Sequence, residues 1–79
     1  MEVNMFNELK EIICEYVEIN PGEITENSRF IEDLGFTSYD FMSMVGELED
    51  KYDIEVEERD VIQVKTVGDA VKYIQSLQA

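Results

Sequence analysis

Ser38 has the surroundings that say most about chemistry in this chain. It follows a glycine turn, Leu34-Gly35-Phe36, and stands at the start of an amphipathic helix. With Thr37 as N-cap, the Thr37 hydroxyl accepts the backbone N–H of Asp40. Asp40 is then the third helical residue, and its carboxylate can return to the Thr37 N–H, a capping box with Asp in place of Glu. Phe36 and Phe41 fall at the two positions of a hydrophobic staple. Ser38 becomes the first helical residue, with its own hydroxyl free of capping. It is held at a rigid helix start yet not used up by the fold. A phosphate attached there would lie near the positive end of the helix dipole.

Other chemistries find little support. The chain has no histidine, no nucleophile–base pair and no room for a deep pocket, which argues against acid–base catalysis and against an enzyme. Between Glu47 and Asp60 stand eight carboxylates against Lys51 and Arg59. Asp50, Asp53, Glu55 and Glu57 resemble part of a calcium loop. Such a loop needs glycine at its sixth position, where Glu55 would fall, so it fails and no specific metal site is expected. Cys14 is the one cysteine, so no internal disulfide can form. After Ile12 and Ile13 it reads as a partly buried small residue rather than a reactive thiol.

The elements that position Ser38 follow from periodicity. Met5, Phe6, Leu9, Ile12, Ile13, Tyr16 and Val17 recur at helical spacing, with Glu8, Glu11, Glu15 and Glu18 on the other side. Asn20-Pro21-Gly22 stops this first helix. A loop from about residue 20 to 36 follows, long for so small a domain. Ile24, Phe30, Ile31 and Leu34 are expected to pin it, and it shows no strand pattern. The second helix runs to about Tyr52. A brief third helix is expected near Glu57–Ile62. Thr66 and Asp69 form a second cap-like pair, opening a last helix through Leu77 whose inward face is Val67, Ala70, Val71, Ile74 and Leu77. The outcome is a single all-α domain over residues 1–79, with four helices and one long first connection.

At 100° per residue the second helix divides into faces. Phe41, Met44, Val45, Leu48 and Tyr52 should fill the core. Asp40, Ser43, Glu47 and Asp50 make a polar stripe. Tyr39, Met42 and Gly46 fall on a third line, away from the core. An apolar line beside carboxylates suggests a docking surface; the alternative is that Tyr39 and Met42 pack under the long loop or the third helix. Gly46 inside an exposed helix costs about 1 kcal/mol relative to Ala. It either flattens the docking face, opens space for a bound chain, or has drifted.

The whole stretch from Glu32 to Val45 resembles the prosthetic-group site of acyl carrier proteins. In that family the pattern is Asp-Leu-Gly, one or two residues, Asp-Ser-Leu, then an acidic amphipathic helix. Asp33-Leu34-Gly35 and Ser38 match; Thr37 stands where the family usually has Asp, and Tyr39 where it usually has Leu. The resemblance extends to Phe30 and to the Thr66-Val67…Ala70…Tyr73-Ile74 tail, so it covers nearly the whole chain. It implies a four-helix bundle of acyl-carrier-protein type with a long first loop and a short third helix. It implies 4′-phosphopantetheine, donated by coenzyme A, held on Ser38 as a phosphodiester, with acyl groups carried on its thiol as thioesters in fatty-acid, polyketide or related biosynthesis. Partners would be a phosphopantetheinyl transferase and acyl-processing enzymes, docking on Tyr39, Asp40, Met42, Ser43, Gly46, Glu47 and Asp50. The different-class alternative is an unmodified helical interaction module that keeps the fold and carries no arm. Thr37 and Tyr39 point to a specialised carrier.

Charge agrees with partners whose docking surfaces are basic. Nineteen acidic and six basic residues give a formal charge of -13. Nucleic acid and anionic membrane surfaces need Lys and Arg in numbers this chain lacks. The competing reading is that the charge serves solubility. No stretch is long enough to cross a bilayer, and the start, Met1-Glu2-Val3-Asn4, does not read as a signal peptide. A monomer in the cytoplasm is the expectation.

Overall fold

A computed structural model describes residues 5–78; the Met1-Glu2-Val3-Asn4 start and Ala79, and with them the ends of the expected 1–79 domain, lie outside the described residues. Helix α1 spans Met5–Tyr16, α2 Ser38–Tyr52, α3 Glu58–Val61 and α4 Val67–Gln78. Pro21–Glu23 forms a single 3-10 turn in the long first connection. Leu9, Ile12 and Ile13 of α1, Met44 and Leu48 of α2, and Val67, Ala70, Val71 and Ile74 of α4 share one core with Ile24, Phe30, Leu34 and Phe36 of the loop. The loop is thus part of the core. This is how the 21 residues 17–37, regular only in one 3-10 turn, stay ordered in a chain of 79.

Two of the expected inward residues face outward. Ile31 is 51 % exposed and Leu77 40 %. Ile31 follows Phe30, which takes the inward place in the same turn, leaving its neighbour on the rim. Leu77 lies almost a turn beyond Ile74, the last buried residue of α4. Phe41 and Tyr52, expected in the core, are half-buried at its edge. Cys14 is half-buried, with its thiol donating to the Ile19 carbonyl at 3.4 Å.

The loop is tied to the far connection by backbone bonds. Phe30 N–H donates to the Lys65 carbonyl (3.1 Å), Val67 N–H to Ser28 (3.0 Å) and Gly68 N–H to Glu26 (2.8 Å). Arg29 and Thr66 form an isolated antiparallel bridge. A Cβ at Gly68 would stand 2.9 Å from the Glu26 carbonyl oxygen. The missing side chain is what lets the two backbones meet.

Two aspartates lock the ends of this loop system. The Arg29 backbone N–H and guanidinium both donate to Asp33 Oδ2 (2.9 and 3.3 Å), and they hold the Asp33 carboxyl below its usual pKa. Asp69 accepts the backbone N–H groups of Lys65 and Thr66 (both 3.2 Å), while Thr66 Oγ1 accepts from Asp69 N–H. These bonds lower the Asp69 pKa as well. A carboxyl depressed on folding stabilises the native state above its unfolded pKa of about 3.9, and the contribution is lost as pH falls through the folded value. The midpoint of urea unfolding should therefore drop on acidification below about pH 4. In Asp69→Asn that drop should be shallower. Equal slopes in the two proteins would show that the Asp69 bonds do not favour the carboxylate.

Helix α3 has one turn, no side-chain cap and one buried residue, Val61. So short a helix is marginal by itself. Tyr73 of α4 braces it: its hydroxyl donates to Asp60 Oδ2 at 2.8 Å.

Candidate functional site

The path of the chain to Ser38 is set by Gly35. Its φ of +80° is a left-handed conformation that glycine adopts without steric cost. The turn sends both Leu34 and Phe36 into the core, 6 % and 2 % exposed. Phe36 N–H closes the turn onto the Phe30 carbonyl at 2.9 Å. Three rings then fix the entry to α2. Phe30 packs against Phe36 (centroids 5.5 Å apart) and Phe41 (5.1 Å). In place of a direct staple between Phe36 and Phe41, each of the two rings packs against Phe30.

The capping box forms as the residue types require. Thr37 Oγ1 accepts from Asp40 N–H at 3.1 Å, and Asp40 Oδ2 accepts from Thr37 N–H at 3.2 Å. Ser38 is exposed, and its hydroxyl makes no hydrogen bond with any described residue. Thr37→Ala should destabilise the fold by about 1 kcal/mol, the usual cost of removing an N-cap hydroxyl. It should also speed amide exchange at residues 38–41. An unchanged denaturation midpoint would show that the box is not holding the helix start.

The residues expected to dock partners divide in two. Tyr39 is 81 % and Met42 50 % exposed, so packing under the loop or α3 does not account for either. Gly46 and Asp50 are also exposed. Positions 39, 42, 46 and 50 fall within about 80° of one another around the helix and form one continuous ridge. A Cβ at Gly46 would meet no atom within 4 Å, so the glycine leaves a dip in the ridge. Asp40, Ser43 and Glu47 are half-buried. Asp40 is engaged in the capping box. Glu47 Oε1 accepts the Tyr16 hydroxyl at 3.0 Å, tying α2 to α1. Burial, then this bond, pushes the Tyr16 pKa up to about 12.

A groove of about 670 Å³ opens beside Ser38. One side comes from the loop and α2, with Ile31, Phe41 and Met42; the other comes from Val61, Ile62 and Lys65. No spacing in the sequence signals that residues 61–65 close this groove, because it arises from the Arg29–Thr66 bridge. Among the described residues no three His, Cys, Asp or Glu side chains are grouped to hold a metal ion.

The sequence profile of the family described as the phosphopantetheine attachment site matches residues 7–74. The chain belongs to the acyl carrier protein family. An acyl carrier protein of Wolinella succinogenes is 40 % identical over 72 residues, covering 91 % of this chain and 95 % of that protein. One of Clostridium perfringens is 44 % identical over 70 residues, covering 89 % and 92 %. In three dimensions the chain is similar to the acyl carrier protein of Enterococcus faecalis, with a TM-score of 0.80, 32 % identity and 91 % of each chain covered. The four-helix fold with a long first loop and short third helix is that of the family. Acyl carrier proteins are carriers rather than enzymes, and their domain holds 4′-phosphopantetheine covalently. An exposed hydroxyl with no partner among the described residues, beside an open groove, fits such a group. No described helix is long and apolar enough to cross a membrane.

Proposed function

We propose that Ser38 is the attachment residue and that the chain shuttles acyl groups of fatty-acid, polyketide or related biosynthesis among enzymes. The observation that carries the reading is the division of labour at the start of α2. Thr37 and Asp40 satisfy the helix end between them, which leaves the Ser38 hydroxyl presented but unspent. A phosphopantetheinyl transferase would form the Ser38 Oγ–phosphorus bond as the pyrophosphate of coenzyme A breaks, with adenosine 3′,5′-bisphosphate leaving and the hydroxyl proton lost. When bound, the group supplies a thiol that holds an acyl chain as a thioester. The protein's own contribution is tethering, which raises the local concentration of substrate at each partner's active site.

Partners with basic docking surfaces would meet the ridge of α2. Asp50 is exposed and pairs with no described residue, whereas Glu47 already serves Tyr16. Tyr39 and Met42 add apolar contact next to Ser38. Long-range attraction between a surface of net charge -13 and a basic partner speeds encounter without demanding tight affinity.

Thiol counting tests the carrier role, because Cys14 is the one cysteine. The denatured chain should show one reactive thiol before loading and two after treatment with coenzyme A, magnesium and a broad transferase. It should show one again once the arm is acylated. A count that stays at one throughout would favour the unmodified interaction module.

A further inference from the structure

Beyond attachment at Ser38 and docking along α2, on which the following rests, that helix carries two features that weaken the fold. The first is Gly46. Of the four glycines in the chain, Gly35 takes a positive φ and Gly68 lets the Glu26 backbone approach. A Cβ at Gly22 would crowd Asn20 Oδ1 at 3.3 Å. Gly46 has no such use. It is the ninth of the fifteen residues of α2, its φ is not positive, and a Cβ there meets nothing within 4 Å. Glycine inside a helix is unfavourable relative to alanine, and no contact of the described fold offsets it.

The second is Asp50. It stands in the last turn of α2, where the negative end of the helix dipole disfavours a carboxylate. Its neighbours are committed. Lys51 reaches across to Glu8 of α1 (3.4 Å), and Glu49 Oε2 accepts the Val56 N–H (3.0 Å). Asp50 pairs with no described residue. The two features adjoin. Met42, Gly46 and Asp50 follow one another at steps of four residues, about 6 Å each along the axis, and all three are exposed. The surface runs from a thioether, over bare helix backbone, to an unpaired carboxylate. A side chain that fits it has an apolar stem and a cationic head. Arginine fits better than lysine, because its guanidinium is more weakly hydrated and meets a carboxylate through two parallel hydrogen bonds.

We propose that Gly46 is a specificity-determining residue: the notch it leaves between Met42 and Asp50 seats an arginine of the phosphopantetheinyl transferase, with its methylenes over the bare backbone and against Met42 and its guanidinium on the Asp50 carboxylate. At this point the helix receives a side chain instead of offering one. Gly46 lies eight residues beyond Ser38, about 12 Å along the axis, so a transferase that closes on Ser38 and lies along α2 covers it. Any side chain at position 46 would fill the seat, which gives the glycine the role that the fold does not. A transferase whose surface is shaped around a filled ridge finds nothing to hold here, so the notch selects among partners of the same charge.

The test uses the full chain as substrate of a purified broad transferase, with coenzyme A and magnesium, and reads KM and kcat for the carrier. Wild-type protein should gain one arm, on Ser38; no arm, or an arm on another residue, overturns the attachment reading and the notch together. Gly46→Ala should raise the denaturation midpoint and still raise KM by about threefold, a split that a purely structural role does not give. Gly46→Met should raise KM by about tenfold with kcat unchanged, the signature of lost binding. Asp50→Asn should raise KM by about threefold, the scale of an exposed ion pair. In the Gly46→Met background it should add nothing, because one side chain of the partner serves both positions. Gln75→Met, which adds the same side chain to the exposed face of α4, should load like the wild type. Ser38 loaded with an unchanged or lower KM in Gly46→Met overturns the proposal and leaves the attachment residue in place. So does Gln75→Met impairing loading as much as Gly46→Met. A full additional loss from Asp50→Asn in the Gly46→Met background overturns the shared arginine.

Discussion

Phe30→Ala should lower the stability of the fold by about 3–5 kcal/mol, the usual cost of deleting a fully buried aromatic ring. Phe30 is 1 % exposed and lies between the rings of Phe36 and Phe41. At roughly 0.05–0.15 kcal/mol per residue, the whole chain has about 4–12 kcal/mol to lose. The substitution therefore removes about a quarter of the stability or more, and in a marginal background it unfolds the protein. Its effect should also be directional. Phe36 loses a packing partner next to Thr37, so exchange at the start of α2 should accelerate before that at the centre of α1. Phe30→Leu keeps most of the volume and should cost much less. A denaturation midpoint for Phe30→Ala within error of the wild type would mean that the long loop is not anchored by this ring.

The same neighbourhood shows what a sequence can and cannot disclose. The capping box at Thr37 and Asp40, the free Ser38 hydroxyl and the Leu34-Gly35-Phe36 turn are all legible, because each depends on residues within a few positions of one another. Cap chemistry and the left-handed turn are local, and tertiary packing only adds to them. The second pair, Thr66 and Asp69, is legible for the same reason. The core face of α2 follows from period alone for Met44, Val45 and Leu48.

What escapes the sequence is whatever the chain path brings together. Tyr16 and Glu47 are 31 positions apart, and nothing in either helix announces their hydrogen bond. Helical spacing therefore assigns Glu47 to a free polar stripe, when its carboxylate in fact links α1 to α2. Ile31 and Leu77 fail differently. Leu77 stands where helical period admits it to the core, and Ile31 is an apolar residue in a loop without a pattern; neither signal marks the edge of the core. The groove beside Ser38 is the largest omission. Its two sides are joined by the bridge between Arg29 and Thr66, and a single bridge leaves no alternating pattern to read. The close approach that Gly68 permits to Glu26 belongs with it; a glycine early in a helix carries no such message alone.

The largest expected functional effect belongs to Ser38. Replacement by Ala removes the one atom to which the arm would be joined. It sits at an exposed position and leaves the Thr37–Asp40 box intact, so circular dichroism and the denaturation midpoint should barely move. Loading should nevertheless vanish, because transfer is covalent and no weaker contact substitutes for the missing oxygen. Thr37→Ala makes the contrasting case: it should weaken the helix start yet retain the oxygen, so loading should slow and still reach completion.

The most direct measurement is the site of the arm in the intact wild-type chain. The protein would be treated with coenzyme A, magnesium and a broad transferase, weighed intact, then fragmented to locate the added mass. One arm per chain, on Ser38 and absent from Ser38→Ala, is the expected result. An unmodified chain, or an arm on Ser28, Ser43 or Ser76, would contradict it.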